Sequence, residues 1–157
     1  MDRITKCPGF SDEFDPTTLF TKILVPIDFS PESRRALITA CELRVMTGAE
    51  LHVFLVRDKG VNDEFIAGLG RPWTDTDVEI SARDQLEYFC SSNCKGVHCV
   101  TGNVTIGEDV VHGVADTARE IGASIVVLAA HEKKAGIFRN RAEKIVKELD
   151  IPVLVLK

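Results

Sequence analysis

The sequence predicts an α/β protein built on an open, parallel, five-stranded sheet with helices on both faces. Three observations carry the prediction. Short apolar runs at 23–27, 51–56, 124–128 and 153–156 suit strands whose two faces are both covered. Between them lie longer segments with apolar residues recurring every three or four positions, the period of an amphipathic helix. Cap and turn residues mark the boundaries. Strand and helix therefore alternate along the chain, which favours parallel pairing through crossover helices.

Each element has a local reason. Residues 1–20 show no periodicity and contain Pro8, Gly9 and Pro16, so they read as an irregular arm ahead of one domain over 21–157. Ile23-Leu24-Val25-Pro26-Ile27 is the first strand. Pro26 has no N–H to give, and pairing is expected to end there. Ser30 can cap a helix and Pro31 suits its first turn. That helix runs to about Thr47 with Ala36, Leu37, Ala40, Cys41 and Leu43 inward, and Gly48 stops it. The second strand covers 51–56. Residues 57–73 hold Gly60, Gly68, Gly70 and Pro72 and read as a loop, long enough to be functional or disordered. Its Phe65, Ile66, Leu69 and Trp73 suit packing over the sheet edge, or else a groove cover or oligomer contact.

A helix over 75–90 presents Val78, Ala82, Leu86 and Phe89, and a third strand follows at 96–100. Thr105-Ile106-Gly107-Glu108 has the form of a capping box. It is expected to open a helix with Val110, Val111, Val114, Ala118 and Ile121 inward and Gly122 at its end. The strand at 124–128 leads into a polar loop. A helix over 139–149 buries Ala142, Ile145, Val146 and Leu149, and Pro152 precedes the last strand, 153–156.

Composition narrows the function classes. A chain of 157 residues, 45% of them hydrophobic, can bury one real core. The net charge of −5 argues against nucleic acid, which asks for a concentrated basic face. No run approaches the roughly 20 apolar residues of a membrane span. The first 20 residues lack the apolar core of a secretory signal. Five cysteines, odd in number and irregularly spaced, read as thiols of a reduced, cytoplasmic protein rather than a disulfide scaffold.

Few residues invite catalysis. Cys90, Cys94, His98 and Cys99 fall close together, and zinc takes Cys and His in fours. Their spacing is not a familiar zinc pattern, and His98 and Cys99, on one strand, would point to opposite faces. Incidental buried thiols are the expectation, with a metal site or a Cys90–Cys94 redox pair as alternatives. His52 and His112 have no evident partners in the sequence. His131 could act as a base, yet there is no G-x-S-x-G elbow, no P-loop and no H-E-x-x-H to accompany it. No catalytic residue, resident metal or enzymatic activity is expected. The loop Ala129-Ala130-His131-Glu132-Lys133-Lys134-Ala135-Gly136 follows a parallel strand, where open α/β sheets bind ligands. With a single glycine it lacks the bare backbone that lets amides close on phosphate.

Two segments resemble the universal stress protein family. One is Lys22-Ile23-Leu24-Val25-Pro26-Ile27-Asp28-Phe29-Ser30 with Arg35-Ala36-Leu37 and Gly48-Ala49-Glu50-Leu51. The other is Ala123-Ser124-Ile125-Val126-Val127-Leu128, then His131, Ala142-Glu143-Lys144-Ile145 and Ile151-Pro152-Val153-Leu154-Val155. The resemblance covers 21–157 apart from the 57–73 loop. It implies a flavodoxin-like sheet of order 3-2-1-4-5 and a homodimer formed through the last strand, 153–156. An uncovered apolar edge there would itself invite pairing.

The family includes nucleotide-binding and non-binding members. In the former, an Asp after the first strand contacts adenine, and G-x-x-G-x9-G-[ST] after the fourth holds ribose and phosphates. Asp28 matches the adenine position. The glycines align with Ala129, Glu132 and Arg139, and Asn140 takes the Ser/Thr place, with His131 inside the loop and three fewer intervening residues than the pattern has. A carboxylate such as Glu132 about 4 Å from a phosphate costs about 4 kcal/mol at an effective dielectric of about 20. The resemblance thus implies a non-enzymatic, dimeric stress-response or regulatory protein with weak or absent ATP binding and no cofactor. The alternative is an adenine-nucleotide module that binds ATP or AMP through Asp28 and the Lys133, Lys134, Arg139 and Arg141 cations.

Overall fold

The computed structural model describes residues 19–57, 75–101, 105–106, 109–130 and 137–157. The arm at 1–18, most of the 57–73 loop, and His131, Glu132, Lys133 and Lys134 lie outside the described residues. The elements are β1 (Lys22–Ile27), α1 (Pro31–Thr47), β2 (Glu50–Arg57), α2 (Asp75–Asn93), β3 (Val100–Thr101), β4 (Thr105–Ile106), α3 (Val110–Ile121), β5 (Ile125–Ala129), α4 (Ile137–Glu148) and β6 (Val153–Leu156).

The sheet runs β3-β2-β1-β5-β6, with β4 also paired to β2. Every pairing is parallel. Because β3 and β4 share one flank of β2, the sheet has five strand positions in the order 3-2-1-4-5. This is the expected flavodoxin-like α/β fold.

Side-chain alternation divides the interior into two cores. Ile23, Val25 and Ile27 of β1, Leu51, Val53 and Leu55 of β2, and Ile125 and Val127 of β5 face Ala36, Leu37 and Ala40 of α1 and Ala82 and Leu86 of α2. Leu24, Phe54, Val126 and Leu128 face the other way, against Val111, Val114 and Ala118 of α3 and Ile145 of α4. Strands covered on both faces explain why the runs were apolar at nearly every position.

Two helix starts show the local chemistry. The Ser30 hydroxyl accepts the Ser33 N–H at 3.0 Å and caps α1, which Pro31 opens. At the other end of that helix Gly48, at φ 73°, donates to the Arg44 carbonyl, a left-handed turn that a Cβ would disfavour. The capping-box reading of 105–108 is overturned. Thr105 and Ile106 pair with Val56 and Arg57 as β4, and Asp109 caps α3, one carboxylate oxygen accepting from the Val111 and His112 N–H groups at 2.9 and 3.4 Å. A carboxylate accepts from free amides as readily as a hydroxyl, and strand pairing claims the Thr105 backbone.

Other boundaries shift. Helix α2 continues one turn past Cys90 to Asn93, whose side chain accepts from Arg34 Nε at 2.5 Å and donates to the Phe89 carbonyl at 2.8 Å. The third strand accordingly starts at Val100, not near Gly96. Residues 97–99 approach it after a turn in which Val97 N–H donates to Cys94.

Candidate functional site

The order of the sheet reverses between β1 and β5, and their carboxyl ends define the crevice where ligands of such sheets sit. The sequence explains why it opens. The Lys22 carbonyl accepts from Ser124 at the head of β5, while the Thr21 carbonyl accepts from Glu50 at the head of β2. By alternation the backbone groups of residues 22, 24 and 26 point toward β5. At 26 the donor is missing because the residue is proline. Pairing with β5 covers only Ile23↔Ile125 and Leu24↔Val126, whereas pairing with β2 continues through Ile27↔Leu55. The expected stop at Pro26 therefore holds on one flank and fails on the other.

Asp28 stands exposed just beyond β1. Its Oδ1 accepts the Ser30 N–H at 3.0 Å and the Ser30 hydroxyl at 2.5 Å. Between them Phe29 adopts φ 60°, the only non-glycine with positive φ among the described residues. A bulky residue there is strained and must be held by its surroundings. The Phe29 ring meets Phe89 of α2 edge to face, centroids 5.3 Å apart. The turn is thus locked by a carboxylate, a cap and an aromatic contact.

Across the crevice β5 ends at Ala129, and Ala130 N–H donates to the Leu156 carbonyl at 2.8 Å. Arg35 reaches the Lys157 carbonyl at 2.7 Å, fastening the end of β6 to α1. Of the residues matched to nucleotide positions, Asp28 and Ala129 end neighbouring strands. Arg139 and Asn140 lie in the first turn of α4, but their side chains, like the whole of His131, are outside what is described.

A second concentration of reactive groups lies on the α1/α2 face. Cys41 of α1 and Cys94, just after α2, are joined as a disulfide, which corrects the all-thiol reading. Its partners are 53 residues apart, so no local spacing marks it. Cys41, Cys94 and Cys99 bring their sulfurs within 4.8 Å of one another. His98 is exposed and not among them; residues 97–99 are not strand, so the alternation expected there does not apply. Cys90 is buried with a free thiol. Its hydrogen bond to Cys99, with burial, pushes its pKa far up, while the same bond, helped by the nearby Arg44 charge, holds Cys99 below the ordinary thiol value. The Arg44 Nε is buried without a hydrogen-bond partner among the described residues.

His52 and His112, for which the sequence shows no evident partner, both have carboxylate neighbours. His52 Nε2 lies 3.1 Å from Glu50, two residues back on the same strand face, and His112 Nδ1 lies 2.7 Å from Asp109, one helical turn back. Neither pair includes a residue matched to a nucleotide position. Among the described residues, no helix is long and apolar enough to cross a membrane.

Comparison with known proteins supplies the lineage. The model of the universal stress protein family matches residues 19–157. A universal stress family protein from Burkholderia pseudomallei is 25% identical, covers 88% of this chain and 97% of its own, and superposes with a TM-score of 0.61. A universal stress protein from Archaeoglobus fulgidus gives 25% identity, 88% and 95% coverage, and 0.61. One from the same organism, solved in complex with dAMP, gives 23%, 88% and 99%, and 0.60. No curated protein matches. The resemblance first drawn from two short segments extends over the whole sheet, and the chain belongs to the universal stress protein family.

Proposed function

We propose that this chain is a non-enzymatic stress-response or regulatory protein that acts as a dimer and binds ATP weakly or not at all. One observation carries the reading. The three positions matched to the phosphate-holding glycines are Ala129, Glu132 and Arg139, so side chains stand where bare backbone would close on phosphate. The engagement of Asp28 by Ser30 supports it, since an adenine would compete for that carboxylate. The test is titration calorimetry with ATP, AMP and cyclic AMP at high protein concentration, with analysis of nucleotide carried through purification. Little or no heat is expected. Adenine nucleotide retained at near one equivalent would overturn the reading.

A second reading has its own support. Asp28 stands at the mouth of the β1/β5 crevice, and a universal stress protein of this fold has been solved with dAMP. On this reading the chain is an adenine-nucleotide signalling module in which Asp28 meets the base and Lys133, Lys134, Arg139 and Arg141 take the phosphates. It requires micromolar affinity that weakens in Asp28→Ala and with added salt.

The dimer is assigned to β6. The carbonyls of Pro152 and Leu156 accept from Val126 of β5 and from Ala130 just after it, so alternation turns the backbone groups of Val153 and Val155 outward. Among the described strands only β5 pairs with β6, and a second copy can add there. Residence in the cytoplasm completes the reading, supported by the free thiols of Cys90 and Cys99. In that compartment the Cys41–Cys94 bond would stand reduced.

A further inference from the structure

We propose that in the reduced protein Cys41, Cys94 and Cys99 form a three-thiolate zinc site. The three sulfurs already lie within 4.8 Å of one another. Tetrahedral zinc with Zn–S bonds of about 2.3 Å sets its thiolates about 3.8 Å apart. The Cys41 and Cys94 Cα atoms are 6.3 Å apart, so rotation of the two side chains can open the bonded pair to that spacing while both backbones stay in place.

The sulfurs arrive from separate parts of the fold: the middle of α1, the turn after α2, and the approach to β3. Four of the chain's five cysteines are gathered here, counting Cys90, which incidental core thiols have no reason to do. Cys41 and Cys94 are buried, while half-buried Cys99 leaves a side open for the metal to enter and for water to fill the fourth position. Soft thiolates select zinc over magnesium or calcium.

Two neighbours suit such a site. Cys90 keeps a free, buried thiol in the same core cluster as Cys41 and Cys94, with Cys99 packed against it. The Arg44 charge acts on Cys99, and its buried Nε has no hydrogen-bond partner among the described residues. A buried, unsatisfied guanidinium nitrogen asks for negative charge, and a zinc ion with three thiolates carries a net charge of −1.

The chemistry balances. A dithiol reductant breaks the Cys41–Cys94 bond, supplies two electrons and two protons, and leaves as its own disulfide. Zinc then displaces the three thiol protons into solvent. Disulfide and zinc are mutually exclusive occupants of the same sulfurs.

The test uses the full chain and zinc itself. The protein is reduced with a dithiol, desalted without oxygen, given zinc and freed of excess, and its metal content is measured. The same protein is titrated with cobalt. About one zinc per chain is expected, with the near-ultraviolet sulfur-to-cobalt charge-transfer band of a thiolate site. The unreduced protein should take up none, and His98→Ala should behave as the parent. Cys99→Ser should weaken zinc binding by more than the about 10- to 100-fold that loss of an outer contact costs. The proposal falls if the reduced, folded parent retains no zinc and shows no such band. It also falls if Cys99→Ser or the disulfide-bonded form retains zinc equally well. Should Cys99→Ser fail to fold, the parent's zinc content and cobalt spectrum still decide.

Discussion

The Ser30 hydroxyl donates to Asp28 Oδ1 at 2.5 Å while the same oxygen of Ser30 accepts the Ser33 N–H at 3.0 Å. One side chain thus caps α1 and holds the carboxylate at the mouth of the crevice. Ser30→Ala removes both contacts. The expected loss is about 1 kcal/mol of unfolding free energy, the usual worth of a helix cap, read as a lower urea midpoint at unchanged slope. Ser30→Asp, which can still cap, should recover part of that loss, set against the repulsion its charge adds beside Asp28.

Packing predicts a sharp contrast between two apolar residues. Leu86 is fully buried between α2 and the sheet, whereas Val45 is 70% exposed on α1. Leu86→Ala should cost about 2–5 kcal/mol, because the transfer energy of the lost atoms adds to the cavity they leave. Val45→Ala should stay within about 0.5 kcal/mol. Equal midpoints in guanidinium would contradict the core assignment.

The contrast also marks what could be read from the sequence. Strands buried on both faces announce themselves as continuous apolar runs, and Ser30-Pro31 with Gly48 mark both ends of α1. Of the candidate site, only the place of two residues in the fold was legible: Asp28 follows β1 and Ala129 closes β5. Thr105-Ile106-Gly107-Glu108 misled because a capping box and a short strand share β-branched residues, and only tertiary pairing with β2 separates them. The Cys41–Cys94 pairing is not legible locally because the contact exists only once α1 and α2 pack together. The opening role of Pro26 needed the register to show which flank lost its donor.

The Asp109–His112 pair predicts a pH dependence. Their hydrogen bond holds the Asp109 pKa below the usual carboxylate value and lifts that of His112 above the usual imidazole value. The His112 contribution is complete below its unfolded pKa and disappears as pH rises through the raised, folded one. The Asp109 contribution is complete above its unfolded pKa and disappears as pH falls through the depressed, folded one. Both act in full between about 3.9 and 6.5. NMR titration should place His112 above about 6.5, and Asp109→Asn, which can still cap α3, should return it toward that value. Because both groups are exposed, added salt should shrink the shift.

Edge pairing gives a prediction about assembly. Val155 faces the open side of β6, so Val155→Pro deletes an outward N–H without touching the bonds from β5 to Pro152 and Leu156. Light scattering after gel filtration should show a dimer for the parent and a monomer for Val155→Pro, with the same far-ultraviolet circular dichroism. A variant that stays dimeric would move the interface away from β6.

The Cys41–Cys94 bond closes a separation of 53 residues between α1 and the end of α2. In the chain-entropy account a loop of that length restrains the unfolded chain by about 4 kcal/mol at 25 °C. Without added metal, reduction should lower the unfolding free energy by up to that amount. Cys41→Ala should match the reduced parent rather than the oxidised one, apart from the small cost of the lost sulfur. Non-reducing peptide mapping should recover the Cys41 and Cys94 peptides joined, with Cys90 and Cys99 open to alkylation after denaturation. Zinc added to the reduced parent should restore much of the lost stability, since an ion bound only by the folded state stabilises it by mass action. Zinc added to Cys41→Ala, which lacks one ligand, should restore far less.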